Sequence, residues 1–194
     1  YANGPTLCET LNARFGNGAL RALADKGYVT INEVTVSRTP YKNLADSQNP
    51  HHALTSTQQN AVDTVLADRQ GRYLLHGVTG SGKTEVYLTI IDKIVSEGKS
   101  CIMLVPEISL TPNMLRQLRE RFGDNVALLH SGLSVGERFD EWLRLRNGQA
   151  HIAIGARSAV FAPLSNLGAI LIDEEHDSSY VSDFNPRYNT IDVG

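Results

Sequence analysis

The sequence predicts an α/β fold with a doubly wound, mostly parallel sheet, and three observations carry that prediction. Five short apolar runs recur, at residues 73–76, 101–105, 126–130, 151–154 and 169–172. They are near-continuous rather than alternating, the pattern of parallel strands buried on both faces. Between them lie stretches with helical spacing, near 83–96, 111–122 and 135–146. The runs also end in glycine, histidine or acidic residues, and open α/β sheets bind ligands at such carboxyl ends.

The elements follow in order. Residues 6–13 and 17–26 suit two short helices, with Leu7, Leu11, Leu20 and Leu23 as the apolar face and Gly27 ending the second. Residues 28–31 and 34–36 are rich in β-branched side chains, and Asn32-Glu33 between them reads as a hairpin turn. Two helices and a hairpin are the back part of a winged helix, so residues 1–42 form a partial winged-helix segment. A DNA-contacting role and a packing role remain equally open for it. Residues 43–53 are polar, contain Pro50, His51 and His52, and read as a linker. Residues 54–194 form the main domain. Ser56 and Gln59 match a capping box at the start of its first helix, and Ser134 and Glu137 match another at the helix over 135–146.

Composition narrows the functional classes. The chain has 194 residues and a net charge of −3, with five basic against three acidic residues in 1–45 and an acidic remainder. That balance argues against coating nucleic acid by charge alone and leaves room for contact in the first segment. No apolar run is long enough to cross a bilayer, and no signal-peptide pattern opens the chain. Cys8 and Cys101 lack metal-ligand spacing and read as reduced thiols of a cytoplasmic protein. Tyr1 in place of an initiator methionine suggests a piece of a longer protein.

The chemistry concentrates at two places. Gly77-Val78-Thr79-Gly80-Ser81-Gly82-Lys83-Thr84 has the G-x-x-x-x-G-K-[ST] spacing of a phosphate-binding loop. Its glycines let backbone N–H groups approach a polyphosphate, and the following helix adds the positive end of its dipole. Lys83 is placed to reach the outer phosphates of ATP, and Thr84 to put a hydroxyl on Mg²⁺. The second place is Asp173-Glu174-Glu175-His176, directly after an apolar run. Asp173 suits the metal, and Glu174, aimed differently, suits the attacking water.

These motifs, taken together, resemble the superfamily 2 DNA helicases, and among them the primosomal replication-restart helicases. The stretches that carry the resemblance are 77–87, 105–112, 129–133, 154–159 and 173–180. It covers roughly 54–194 and implies a RecA-like first helicase lobe. It also implies roles. Gln58 matches an adenine-reading glutamine. Pro106, Glu107, Thr111 and Pro112 match a DNA-facing segment, and Arg157 and Ser158 a second one. His176 matches a residue that couples the nucleotide and DNA sites. The tail after Asp177 matches an aromatic loop, with Tyr180, Phe184 and Tyr188 able to stack on unpaired bases at about 1–3 kcal/mol each. Asn113, Ala156 and Val181 depart from the usual Gln, Thr and Lys, which weakens the case for DNA contacts there.

The resemblance further implies ATP and Mg²⁺ as cofactors, with zinc only in parts of the parent protein beyond this chain. It implies forked and single-stranded DNA as substrate, single-strand-binding protein and other primosome proteins as partners, no membrane, and a cytoplasmic, nucleoid-associated location. No motif for an arginine finger or a second lobe follows Gly194, and such arginines are worth on the order of 10³–10⁵ in rate, so this piece alone is expected to be nearly inactive. The competing functional classes are a P-loop ATPase that remodels or transports something other than nucleic acid, and a non-enzymatic winged-helix module that binds DNA.

Overall fold

A computed structural model describes Thr6 and residues 8–32, 53–78, 80–182 and 185–194. The chain divides into two compact units, Tyr1–Ser37 and Arg38–Gly194. In the first, α1 (Cys8–Phe15) and α2 (Asn17–Asp25) pack on each other. The second helix ends as the sequence predicts. Gly27 takes φ 74°, and its N–H and that of Tyr28 turn back to the carbonyls of Ala24 and Leu23. This double closure is the Schellman geometry, which the missing Cβ of glycine permits. The expected apolar face is only half covered: Leu11 and Leu20 are partly buried, while Leu23 is 42% exposed. Residues 29–32 form no strand, and the rest of the expected hairpin and nearly all of the linker lie outside the described residues.

The second unit contains α3 (Ser56–Ala67), α4 (Lys83–Ser96), β1 (Ser100–Leu104), α5 (Pro112–Phe122), β2 (Val126–Leu129), α6 (Val135–Arg146), β3 (Ile152–Gly155), β4 (Leu167–Ile172) and α7 (Thr190–Val193). Its four strands are parallel in the order β2-β3-β1-β4. Register is fixed by the period-2 alternation of strand side chains. On one face Cys101, Met103, Val126, Leu128, Ile152 and Ile154 pack with apolar residues of α3, α4 and α5. On the other, Ile102, Leu104, Ala127, Leu129 and Ala153 pack with Leu145 and Tyr180. Both faces are dry, as the continuous apolar runs require.

Two local expectations are corrected. The first capping box is not Ser56 with Gln59. Thr55 is the N-cap of α3; its hydroxyl accepts from the Gln58 N–H at 3.3 Å, and Gln58 Oε1 accepts from the Thr55 N–H at 2.9 Å. Both pairs fit the pattern, and Gln59 instead bonds Asp63 along the helix at 2.8 Å. The second box, Ser134 with Glu137, forms as expected.

The other correction concerns residues 73–76, which form no strand. Leu74 is 80% and Tyr73 43% exposed, and the Tyr73 hydroxyl folds back onto the Asp68 carbonyl at 2.7 Å. Only Leu75 packs on the core. Tyr73, Leu74 and Leu75 satisfy the propensity of a strand, but a strand exists only through its neighbour's hydrogen bonds.

Candidate nucleotide site and the acidic turn

The glycine loop leads straight into α4. Gly82, its N-cap, takes φ 80°, and Gly80 takes φ 79°, conformations that L side chains rarely adopt. A Cβ on Gly82 would also stand 2.5 Å from Gln58 Nε2. That contact reveals a link the sequence motif does not show: Gln58 Nε2 donates to the Ser81 carbonyl at 3.0 Å. Gln58 thus serves the α3 cap with its oxygen and the phosphate loop with its nitrogen. Lys83 opens α4, and its ammonium donates to the carbonyls of Gly77 at 2.9 Å and Val78 at 3.4 Å. The lysine therefore lies along the inner wall of the loop. Ser81 and Thr84 are exposed, and Thr79 lies outside the described residues.

The acidic pair follows β4. Its backbone is held from both sides: the Asp173 N–H donates to the Leu104 carbonyl of β1 at 2.9 Å, and the Asp173 carbonyl accepts from the Tyr180 hydroxyl at 2.7 Å. Burial, then the neighbouring Glu174 charge, raise the Asp173 carboxyl above its usual range, while Lys83 pulls it down. Lys83 and Asp173 thus act on each other electrostatically across the site. Glu174 has φ 47°, in the left-handed region, so its side chain leaves the chain in a different direction from that of Asp173. His176 Nε2 lies 3.7 Å from Glu174 Oε2 and is 80% exposed, an ion pair when the imidazole is protonated.

Tyr87 is a component that the motifs did not flag. It sits one helical turn after Lys83, nearly buried, and its phenol is pushed up to about 12 by burial and then by Asp173 and Glu174. The i, i+4 spacing from Lys83 was the available signal, since it places both side chains on one face of α4.

The residues expected to face DNA scatter in their placement. Glu107, Thr111 and Ser158 are exposed. The Thr111 hydroxyl caps α5 by accepting from the Met114 N–H at 3.3 Å. Pro106 is buried at the end of β1 and offers no surface to a backbone. Arg157 is partly buried, and its Nη1 donates to the carbonyls of Val181 at 2.6 Å and Ser179 at 3.5 Å. Tyr180 is 1% exposed within the second core cluster, so neither ring face is free for a base. Sequence spacing cannot tell a stacking aromatic from one that turns inward to a carbonyl. Tyr188 is half-buried and meets the ring of Phe161 edge-on at 5.1 Å, and Phe184 lies outside the described residues.

The donor set fits a nucleotide with its metal ion. A glycine loop with a lysine and a hydroxyl is matched by one half-buried carboxylate, Asp173, and Mg²⁺ is characteristically held by one or two carboxylates plus substrate phosphates rather than by an all-protein cage. Among the described residues no group of three or more His, Cys, Asp or Glu could hold a metal by itself.

Fold and site together define a nucleotide-binding α/β domain. The chain belongs to the DEAD/DEAH box helicase family, whose model matches residues 55–192. It is 45% identical over 191 residues to the replication restart protein PriA of Bacillus subtilis, covering 96% of this chain and 24% of that protein. Identity to the PriA of Synechocystis is 48% over 174 residues, covering 88% of this chain and 21% of the relative. For the PriA of Haemophilus influenzae it is 40% over 196 residues, covering 97% and 27%. The chain thus spans about a quarter of the length of these relatives. Among the described residues no helix is long and apolar enough to cross a membrane.

Proposed function

We propose that this chain is the ATP-binding first lobe of an ATP-dependent DNA helicase that acts in replication restart at stalled forks. On this reading residues 54–194 are the lobe, 43–53 a linker and 1–42 part of a winged helix. The observation that carries it is the pairing of the Gly77–Thr84 loop with the Asp173-Glu174 turn, joined by the mutual influence of Lys83 and Asp173. The similarity to replication restart proteins supports the restart role.

In the proposed mechanism the loop N–H groups and Lys83 hold the phosphates of ATP. Thr84 and Asp173 would hold Mg²⁺, and the ion, when bound, would supply positive charge to the phosphoryl oxygens. The Glu174 carboxylate, turned aside by its left-handed backbone, accepts a proton from the water that attacks. Gln58 reads the base while tying α3 to the loop. His176, within reach of Glu174, carries information between nucleotide and DNA. Glu107, Thr111 and Ser158 contribute to the DNA path, together with Tyr188 and Phe184. Forked and single-stranded DNA are the substrates, with single-strand-binding protein and other primosome proteins as partners, in the cytoplasm at the nucleoid.

The test is DNA-stimulated ATPase activity of the full-length protein. Lys83→Ala abolishes it and weakens Mg–nucleotide binding, because the phosphate charge loses its cation. Glu174→Gln leaves nucleotide binding near normal and stops hydrolysis. Wild-type rates in Lys83→Ala would sink the assignment.

A further inference from the structure

The segment after the acidic turn was expected to reach outward for DNA, yet its first aromatic points the other way. Tyr180 is among the most deeply buried side chains of the domain, and its hydroxyl is spent on the backbone of Asp173. The backbone of Asp173 is therefore held on both sides, its N–H by the Leu104 carbonyl of the sheet and its C=O by this phenol. The next residue, Glu174, holds a left-handed backbone without being glycine, a conformation that persists only where the surroundings impose it.

The surroundings form a closed circuit. The Asp177 N–H donates to the Glu174 carbonyl at 2.8 Å, which closes the turn. Asp177 Oδ1 then accepts from the Ser179 N–H at 2.8 Å and starts the short helical turn Ser178–Tyr180. Fully buried Thr190 donates its hydroxyl to the Tyr180 carbonyl at 2.9 Å. Arg157, from the turn after β3, holds the flanking carbonyls of Ser179 and Val181. These bonds fix the backbone on either side of Tyr180, from which the phenol reaches Asp173.

We propose that Tyr180 is a positioning residue for hydrolysis: its hydroxyl, held in place by Arg157 and Thr190, fixes the Asp173 peptide and through it the aim of Glu174. The inference rests on the reading that Glu174 orients the attacking water. It assigns Arg157 to the support of the acidic turn rather than to a DNA phosphate.

Tyr180→Phe removes one oxygen and keeps the ring that fills the core. In the full-length protein its basal kcat for ATP falls about three- to tenfold, the factor one net hydrogen bond is worth. KM for ATP and Mg–nucleotide affinity stay as in the wild type, and the melting temperature falls by no more than one net hydrogen bond accounts for. The DNA-stimulated rate falls by the same factor as the basal rate. Arg157→Ala lowers the basal kcat in the same way with no DNA present. A lowered melting temperature at unchanged kcat would make the hydroxyl merely structural and overturn the proposal. So would a defect in either variant confined to the DNA-stimulated rate, because that is the signature of a DNA contact. Glu174→Gln is measured alongside: if it still hydrolyses ATP, the assignment of the water-orienting residue fails, an outcome distinct from a wild-type rate in Tyr180→Phe.

Discussion

Removing Glu141 should cost this domain a large share of its stability, and the reason lies at the outer edge of the sheet. Strand β2 is the last strand on one side, so the N–H and C=O groups of its alternate residues face outward without a strand to meet them. Glu141 and Arg144, one turn apart on α6, occupy that edge. Glu141 is 0% exposed; its Oε2 accepts from the Leu128 N–H at 2.8 Å, and its Oε1 from Arg144 at 2.7 Å. Arg144 in turn donates to the Val126 carbonyl at 3.2 Å and to the Asp124 carbonyl. The ion pair does the work of a missing strand. Glu141→Ala leaves a buried guanidinium without its counter-charge and a buried N–H without an acceptor.

Breaking a buried pair from one side costs about 3–5 kcal/mol, a figure that already contains much of the ~1–3 kcal/mol for the orphaned N–H. Against a typical total of about 5–15 kcal/mol, that is about a fifth of the stability or more. For a domain of this size it corresponds to a fall in melting temperature of roughly 6–20 °C. Urea melts of the wild type, Glu141→Ala, Arg144→Leu and the double variant close a thermodynamic cycle. The double variant should cost less than the sum of the singles by about 1 kcal/mol or more, because the second substitution removes the charge that the first had stranded. Strict additivity, or a loss below about 1 kcal/mol for Glu141→Ala, would refute the account of the edge.

Two further outcomes follow from the site and the core. Gln58→Glu keeps the oxygen that caps α3 but loses the donor to Ser81 and sets a negative charge beside the phosphate loop; a fluorescent-nucleotide titration should show affinity weakened about tenfold or more, with stability changed by about 0.5–1.5 kcal/mol, whereas an unchanged affinity would separate Gln58 from the nucleotide. Cys101 is fully buried, and burial pushes its thiol up to about 12, while Cys8 is exposed; a thiol-reactive dye should therefore label one cysteine in the native 194-residue chain and two in urea, and equal rates at both would contradict the packing of β1.

What the sequence made legible depended on whether the determinant was local. The parallel strands at 101–104, 126–129 and 152–155 were readable because burial on both faces leaves a continuous apolar run, whichever neighbour each strand finds, and 169–172 keeps such a run although β4 is mostly only half-buried. The glycine loop and the acidic turn were readable as motifs for a similar reason: each is a short stretch defined by its own spacing. The Gly27 helix end and the Ser134–Glu137 cap belong to the same group. Hidden from the sequence were the relations between stretches. Gln58 reaching Ser81 spans 23 residues, and Arg157 reaching Val181 spans 24.

The contrast between Tyr180 and the 73–76 run shows why such relations decide function as well as fold. Both were assigned by side-chain type, one as a stacking aromatic and the other as a strand. In each case the deciding partner is a backbone carbonyl distant from the element the residue was assigned to serve. The Tyr180 hydroxyl finds the carbonyl of Asp173, and that bond draws the ring inward, where Thr190 and Arg157 can close on the adjoining backbone. The Tyr73 hydroxyl finds the carbonyl of Asp68, and the run folds back there rather than joining the sheet. A phenol is amphipathic, so an apolar site with one unsatisfied carbonyl is its favoured environment. Because that carbonyl belongs to Asp173, the buried Tyr180 offers no ring face to a base and instead holds the backbone of the acidic turn.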